Sequence, residues 1–285
     1  MKTFLLKWMF CLVAAVGLTL SFSACSDDDN EDDTQGNGQG AGNGGSGVTV
    51  LAKKVSKIVE KEGQSETTYL FSYDSEGKLS KIFRGENEVE KEFRYETNKI
   101  SIYRNNELRG EITLKDGKAV SEKGIYGADE YSLYTYTYNG NYIAKMHEDS
   151  YYKGEKEYAG TSTFVVKDKN LVGVNYVEDD DPTDIDNIAL EPSGIANNAN
   201  IDFYGWVMEE DSWLLCVLGN RFQNLPAKTT NTWKDEEQDG SVKEVKAVTT
   251  YTYEVDKDKY VTKITETYTD EEERSETKTY TITYE

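Results

Sequence analysis

Apolar and polar residues alternate along most of the chain between residues 48 and 176. In the segment 67–73, for example, Tyr69, Phe71 and Tyr73 fall on one face, which is the period of two of a half-buried β-strand. Polar turns with glycine or asparagine separate such segments, among them 115–118 and 139–141. Because Gly and Asn tolerate the positive φ of tight hairpin turns, the pattern predicts a series of antiparallel hairpins.

The residue before each turn recurs at a regular spacing. The series is Tyr73, Tyr95, Leu114, Tyr138 and Val166, with intervals of 22, 19, 24 and 28 residues. This is a degenerate repeat of two strands, and it returns over 248–264 and 278–284. About 14 strands are too many for an open flat sheet. The sequence therefore predicts an all-β fold, a long antiparallel hairpin meander curved into a barrel-like sheet.

Residues 179–228 interrupt the alternation and are expected to form an insert. The part 179–198 contains Pro182 and Pro192 and is expected to be a loop. Apolar residues then recur at a spacing of three to four, which predicts a helical element near 200–222. These residues are Phe203, Trp206, Val207, Trp213, Leu214, Val217, Leu218 and Phe222. A helix packed on or inside the sheet is one interpretation, and a helix that docks a partner is the other.

The first 24 residues have the features of a lipoprotein signal peptide. Two lysines precede an apolar run over 8–20, which is shorter than the about 20 residues of a transmembrane helix. Small residues stand directly before Cys25, as lipoprotein signal peptidase requires. We expect Cys25 to carry diacylglycerol and an N-acyl chain, which together form a stable membrane anchor. The alternative is an ordinary secretory signal, with Cys25 an unmodified thiol.

Residues 25–47 are expected to form a flexible tether. Segment 26–33 has six carboxylates in eight residues, and such a block stays solvated and extended. Segment 34–47 is almost entirely Gly, Asn, Gln and Ser, which cannot bury enough apolar surface to fold. The acidic block resembles the export signal of Bacteroidetes-type lipoproteins, which implies an outer-membrane, cell-surface location. A plain spacer is the alternative. Residues 48–285 remain as one antiparallel β domain.

Charge and cysteine content limit the partners. The formal net charge is −21, and removal of two lysines with the signal gives −21 − 2 = −23. We therefore expect no nucleic-acid binding and no general affinity for anionic lipid, because both depend on Lys and Arg. Cys216 is the one cysteine left after the signal and Cys25, so an internal disulfide is excluded. In its apolar run it is expected to be a small buried side chain.

Catalytic residues are not evident. His147 is the single histidine and is expected on a strand surface, without a recognisable nucleophile motif. One His and one remaining Cys do not make a zinc site, and we expect no cofactor and no enzymatic activity. Calcium is a weaker possibility, since hard oxygen ligands cluster in one loop; the candidates are Asp180, Asp181, Asp184 and Asp186. A solvated acidic loop is the alternative interpretation.

The 21 tyrosines allow two interpretations. Aromatic faces stack on sugar rings, which would make the sheet a glycan-binding surface. Tyrosine is also favoured in half-wet strands, with its ring buried and its hydroxyl at the rim. The hypotheses are accordingly a non-enzymatic module that binds a glycan or an envelope protein, a structural envelope component, and, third, a glycan-processing enzyme with paired carboxylates.

Four segments in the C-terminal third of the chain carry a family resemblance. The stretch 200–228, the strand 251–253, the return 262–264 and the Thr-Tyr-Thr of 279–281 are together similar to an uncharacterised family of Bacteroidetes lipoproteins described as having a porin-like fold. The resemblance covers roughly Lys57 to Glu285. It implies a curved antiparallel barrel-like sheet, and it implies no activity and no site residues.

Overall fold

The computed structural model describes residues 53–183, 185–196, 215–236 and 241–285. These residues form sixteen β-strands, and none of them is in an α-helix. The strands are β1 (Val55–Glu62), β2 (Ser65–Tyr73), β3 (Leu79–Arg84), β4 (Glu88–Glu96), β5 (Lys99–Arg104), β6 (Glu107–Lys115), β7 (Lys118–Ile125), β8 (Glu130–Asn139), β9 (Tyr142–Tyr152), β10 (Glu155–Lys167), β11 (Asn170–Glu178), β12 (Ile185–Ala196), β13 (Asn224–Glu236), β14 (Val242–Val255), β15 (Val261–Thr269) and β16 (Ser275–Tyr284).

The strands form one closed barrel. Each strand pairs antiparallel with its neighbours in the chain, and β1 pairs with β16 to close the ring. The predicted all-β antiparallel meander is therefore confirmed. Closure leaves no unpaired strand edge, which is the usual hazard of a long antiparallel sheet.

The two ends of the barrel differ. We call the end at which the chain enters, at Lys53, the near end; it carries the tight turns that follow β2, β4, β6, β8, β10 and β14. The far end carries the turns that follow the odd-numbered strands. The near end therefore also receives the two flanks of the β12–β13 connection, Ala196 and Leu215–Gln223.

Alternation separates an inner face from an outer wall. One buried cluster takes the inward residue of nearly every strand, including the fully buried Ile58, Tyr69, Ile82, Ile100, Ile102, Tyr134 and Tyr280. The residues between them point outward and are mostly Thr, Ser, Lys and Glu; on β16 they are Thr277, Thr279, Thr281 and Thr283. Sixteen strands normally leave a water-filled lumen, but here apolar side chains fill much of it.

Two segments of the expected insert are strands. Residues 185–196, expected as a loop, form β12, and Leu225-Pro226, also within the expected insert, lies in β13. Pro192 and Pro226 face each other where the β12–β13 register shifts. A proline fits at such an irregularity because its missing N–H removes no ladder hydrogen bond.

An irregular segment, Leu215–Gln223, closes the near end, and we call it the plug. Its predicted helix is wrong for the described residues 215–222, because the backbone bonds to the barrel instead of to itself. Val217 C=O accepts from the Ala119 N–H at 2.7 Å, and the Asn220 and Gln223 N–H groups donate to turns of two other hairpins. At Gly219, φ is +95°, and a Cβ would lie 2.2 Å from Asn141 O. The remainder of the predicted helix, including Phe203, Trp206, Trp213 and Leu214, lies outside the described residues.

The predicted signal, Cys25 and tether also lie outside the described residues and stay predictions. Within the part of the chain that the structure describes, no helix is long and apolar enough to cross a membrane.

Candidate functional site

The far half of the barrel interior holds charged side chains where the near half holds apolar ones. We call this group the polar layer; it comprises Glu60, Glu62, Arg84, Glu90, Arg104, Glu122, Glu148, Glu266 and Lys278, with the hydroxyls of Tyr69, Tyr134, Tyr136 and Tyr280. Four of its acids, Glu60, Glu62, Glu148 and Glu266, occupy positions in phase with an apolar inner residue of their strands. Buried charges are costly unless they are paired, so their partners decide what the layer can do.

Lys278 lies close to three carboxylates, those of Glu60, Glu62 and Glu266, where β15, β16 and β1 adjoin. Lys278 lies directly across from Glu266 on one side and from Glu62 on the other, with Nζ 3.4 Å from Glu62 Oε1. Burial raises the pKa of Glu266 to about 7, and the nearby Lys278 opposes the shift only in part. Burial likewise raises the pKa of Glu60. The Tyr280 hydroxyl donates to Glu266 Oε2 at 3.3 Å.

A β-bulge in β4 produces the second ion pair of the layer. The register with β3 shifts between Ile82 and Phe83, so both Glu90 and Lys91 become buried rather than alternating. Arg104 Nη2 contacts the Glu90 carboxylate, and Arg104 Nε donates to the Glu90 carbonyl at 3.4 Å. Strict alternation from the sequence would have placed Glu90 on the outer wall.

Neutral hydroxyls satisfy the two other acids. Glu148 Oε1 accepts from Ser132 Oγ at 2.9 Å, Tyr134 Oη at 3.1 Å and Ser150 Oγ at 2.9 Å. Glu122 accepts from the buried Tyr136 hydroxyl at 2.9 Å. A carboxylate that accepts from hydroxyls, as Glu148 does, can accept from further donors, such as a sugar hydroxyl or an ammonium group.

The hydroxyls of Tyr158 and Tyr176 lie near Glu148 and make no hydrogen bond to the described residues. Gly160 pairs across strands with both Glu148 and Glu178. The rings of Tyr158 and Tyr176 stack with centroids 6.2 Å apart, and a Cβ on Gly160 would lie 2.7 Å and 2.0 Å from their hydroxyl oxygens. Among the described residues neither hydroxyl has a hydrogen-bond partner, although both are buried.

The polar layer was not predicted from the sequence. Its signal is present, because a charged residue in the apolar phase of a strand has to face inward. Glu266 follows Ile264 at a spacing of two, and Glu148 follows Met146 in the same way. In a chain with 53 acids this phase relation is easily missed.

The structure places the sequence candidates apart from this layer, with one exception. His147 lies on the outer wall, with Nδ1 3.0 Å from Thr161 Oγ1 and Nε2 3.4 Å from Asp149. In the acidic loop, Asp181 accepts from the Thr183 backbone and hydroxyl. Asp186, on β12, is the exception, since its cross-strand partner Tyr176 on β11 lies near Glu148 of the layer, whereas Asp184 lies outside the described residues. No group of three metal-ligating side chains occurs in the described ranges.

Most inner tyrosines are core residues, not a stacking surface. Tyr69, Tyr134 and Tyr280 are at most 1 % exposed, so their faces cannot meet a sugar. On the outer wall Tyr131 and Tyr151 stack on each other, with centroids 4.8 Å apart, and Lys123 covers the Tyr131 ring. Cys216 is half-buried in the plug rather than fully buried, with φ of +50°.

Comparisons with known proteins give the fold alone. The sequence matches no protein-family profile and none of the curated proteins. Among solved structures, it is similar to a porin-like protein from Bacteroides uniformis, with 20% identity and a TM-score of 0.58 over 81% of this chain and 98% of that one. A porin-like protein from Bacteroides vulgatus matches with 19% identity and the same TM-score and coverage. The expected porin-like barrel is therefore confirmed, while membership of a lipoprotein family stays a prediction.

Proposed function

We propose that the chain is a lipid-anchored outer-membrane protein whose barrel is displayed at the cell surface, where it binds a ligand or partner and catalyses no reaction. The observation that carries the proposal is the distribution of polarity, which is hydrophilic on the outer wall and charged in the far half of the interior. The lipid on Cys25 would supply the membrane attachment.

The outer wall argues that the barrel lies outside the bilayer. Arg94, Ser101, Glu111 and Lys123 are consecutive cross-strand partners, so they form a polar row across four strands at mid-height. A lipid-facing charge at the bilayer midplane costs about 2–4 kcal/mol. With such a wall, a lipid on the chain is the simpler means of membrane attachment.

The polar layer argues for binding. Apolar residues in the positions of Glu60, Glu266 and Lys278 would extend the core, and replacement of buried ion pairs by apolar groups is often stabilising. Residues that reduce stability in this way are typical of functional sites. Carboxylates and tyrosine hydroxyls together suit a ligand with several hydroxyl groups or an ammonium group, such as a glycan or a basic segment of an envelope protein.

Glycan-array binding tests the ligand class. The chain without residues 1–24 and with Cys25→Ser should bind one glycan class. Glu148→Gln should weaken that binding by about tenfold or more, since one charge-assisted hydrogen bond contributes about 1.5–3 kcal/mol. The matched control is Glu244→Gln, an exposed glutamate at the start of β14, which should bind as the parent chain does. Equal losses in both variants would contradict a role for the polar layer.

A structural envelope protein without a small-molecule site is the second candidate. The observation in its favour is the filled near half, where Leu215, Val217, Leu218 and Phe222 of the plug are at most 6 % exposed. A flat glycan array from correctly folded protein would favour this candidate.

A further inference from the structure

Charge is strongly separated along the barrel axis. The charged side chains of each end are those of the described turn residues and of the strand residue on either side of each turn. The near end also includes the plug and the chain termini. The near end then has 11 basic and 8 acidic side chains, a balance of +3. The far end has 4 basic and 16 acidic side chains, a balance of −12. Among the described residues, the excess of acid therefore lies at the far end, while the near end is weakly basic.

The lysines of the near end form a ring around the plug. Lys54, Lys78 and Lys118 each lie over a tyrosine ring, at 5.0, 5.4 and 5.3 Å from the centroids of Tyr73, Tyr95 and Tyr138. These contacts hold the three ammonium groups at the rim. Three further lysines are exposed in or beside the turns, at Lys115, Lys167 and Lys257.

This end is also where the anchored part of the chain arrives. Lys53 follows Cys25 by 28 residues, and a Gly-rich chain of that length has a root-mean-square reach of about 30 Å. Opposite ends of strands of this length lie roughly 20–30 Å apart. The tether alone would therefore allow either end to meet the membrane, and the charges have to decide the orientation.

We propose that the near end rests on the anionic headgroup layer of the membrane to which the chain is anchored, so that the acidic far end points away. This inference rests on the proposed lipid anchor. Each lysine near an anionic surface contributes about 1 kcal/mol. Repulsion of the far end is weak in this orientation, because the Debye length at physiological salt is about 8 Å. The polar layer, in the far half of the interior, then faces the surroundings of the cell.

The test uses a chemical anchor, so that its outcome does not depend on lipidation in the cell. The chain without residues 1–24 and with Cys216→Ser is coupled through the Cys25 thiol to a maleimide lipid. It is reconstituted in vesicles of phosphatidylcholine, alone or mixed with phosphatidylglycerol. Hydrogen exchange then reports on the near-end turns 115–118 and 256–260 and on the far-end turn 270–274.

We expect near-end amides to exchange about threefold or more slowly on the anionic vesicles than on the neutral ones, with no change at 270–274. The triple variant Lys115→Glu, Lys167→Glu, Lys257→Glu should abolish this protection. A matched triple variant on the outer wall, Lys61→Glu, Lys145→Glu, Lys246→Glu, should keep it. Protection at 270–274, equal protection on neutral vesicles, or equal loss in both variants would overturn the orientation. A failure of natural lipidation would appear only in the detergent partition of the cellular protein.

Discussion

The hydroxyl of Tyr73, the last residue of β2, donates a 2.7 Å hydrogen bond to the carbonyl of Val55, the first residue of β1. The same bond recurs around the near end, where the inward tyrosine that closes a strand reaches the backbone at the start of the preceding strand. The other pairs are Tyr95 to Leu79, Tyr138 to Ala119, Tyr253 to Pro226 and Tyr284 to Val261, at 2.6–2.8 Å. Five of the eight hairpins are thus tied by one repeated contact.

Removal of one of these hydroxyls should weaken the barrel by a modest amount. Tyr95→Phe keeps the ring and removes the hydrogen bond to Leu79, so the free energy of unfolding should fall by about 1 kcal/mol. Tyr253→Phe lies on a different hairpin, and the double variant should lose the sum of the two. Urea denaturation measures both. Tyr131→Phe, in the stacked pair on the outer wall, is the control and should leave stability within about 0.5 kcal/mol.

The repeated tyrosine contact at the near end was predictable from the sequence only in part. Tyr73, Tyr95 and Tyr138 were recognisable as the ends of repeating strands because their spacing is regular. Their hydroxyl bonds were not predictable, since the acceptors lie 16 to 19 residues away and depend on the strand register. Closure of the sheet has the same origin, because the pairing of β1 with β16 has no local signal.

Two local patterns misled the prediction. In β12 only Ile188 and Leu190 are buried apolar residues, and Pro192 follows them, so the segment resembles a loop. In the plug, Val217, Leu218 and Phe222 have helical spacing, but they are apolar because they are buried under the near end. An apolar period alone does not separate a helix from an irregular buried segment.

Loss of Arg104 should expose the cost of the buried Glu90. The Glu90 side chain is 8 % exposed, and Arg104→Met would leave its carboxylate without the guanidinium partner. The free energy of unfolding should fall by roughly 1–3 kcal/mol, less than for a fully buried pair because Arg104 itself is 42 % exposed. The double variant with Glu90→Gln should recover most of the loss in chemical denaturation. A double variant no more stable than Arg104→Met would contradict the pairing.

A side chain at Gly160 should crowd the two unbonded tyrosine hydroxyls. Gly160→Ala puts a Cβ against the oxygens of Tyr158 and Tyr176 and should lower the thermal midpoint, at a cost of about 1–3 kcal/mol. Adding Tyr158→Phe and Tyr176→Phe removes both oxygens and should restore most of the stability. Gly194→Ala is the matched control, since a Cβ there meets nothing within 4 Å. If the two phenylalanines do not restore stability, the strain does not come from contact with the hydroxyl oxygens.

Ionisation of Glu266 should make the barrel less stable as pH rises. Its pKa is about 7 in the folded chain, against 4.5 for an ordinary glutamate. Between these values the folded state binds more protons, so the free energy of unfolding falls as pH increases through this window. Glu266→Gln removes the ionisation and should stabilise the protein by about 1–3 kcal/mol at pH above the folded pKa, with little effect below pH 4.5. Chemical denaturation of the parent and the variant across this pH range measures the difference. A Glu266→Gln variant less stable than the parent at high pH would show that the folded state favours the charged carboxylate.

The anchor at Cys25 is the central claim, because it makes the barrel a displayed domain and not a pore in the bilayer. Detergent phase separation of the cellular protein tests it most directly, with the parent chain and Cys25→Ser compared side by side. The parent should enter the detergent phase through its acyl chains, and Cys25→Ser should remain in the aqueous phase as a folded barrel. A Cys25→Ser chain that still enters the detergent phase would mean that the barrel wall itself contacts lipid, and the account would be wrong.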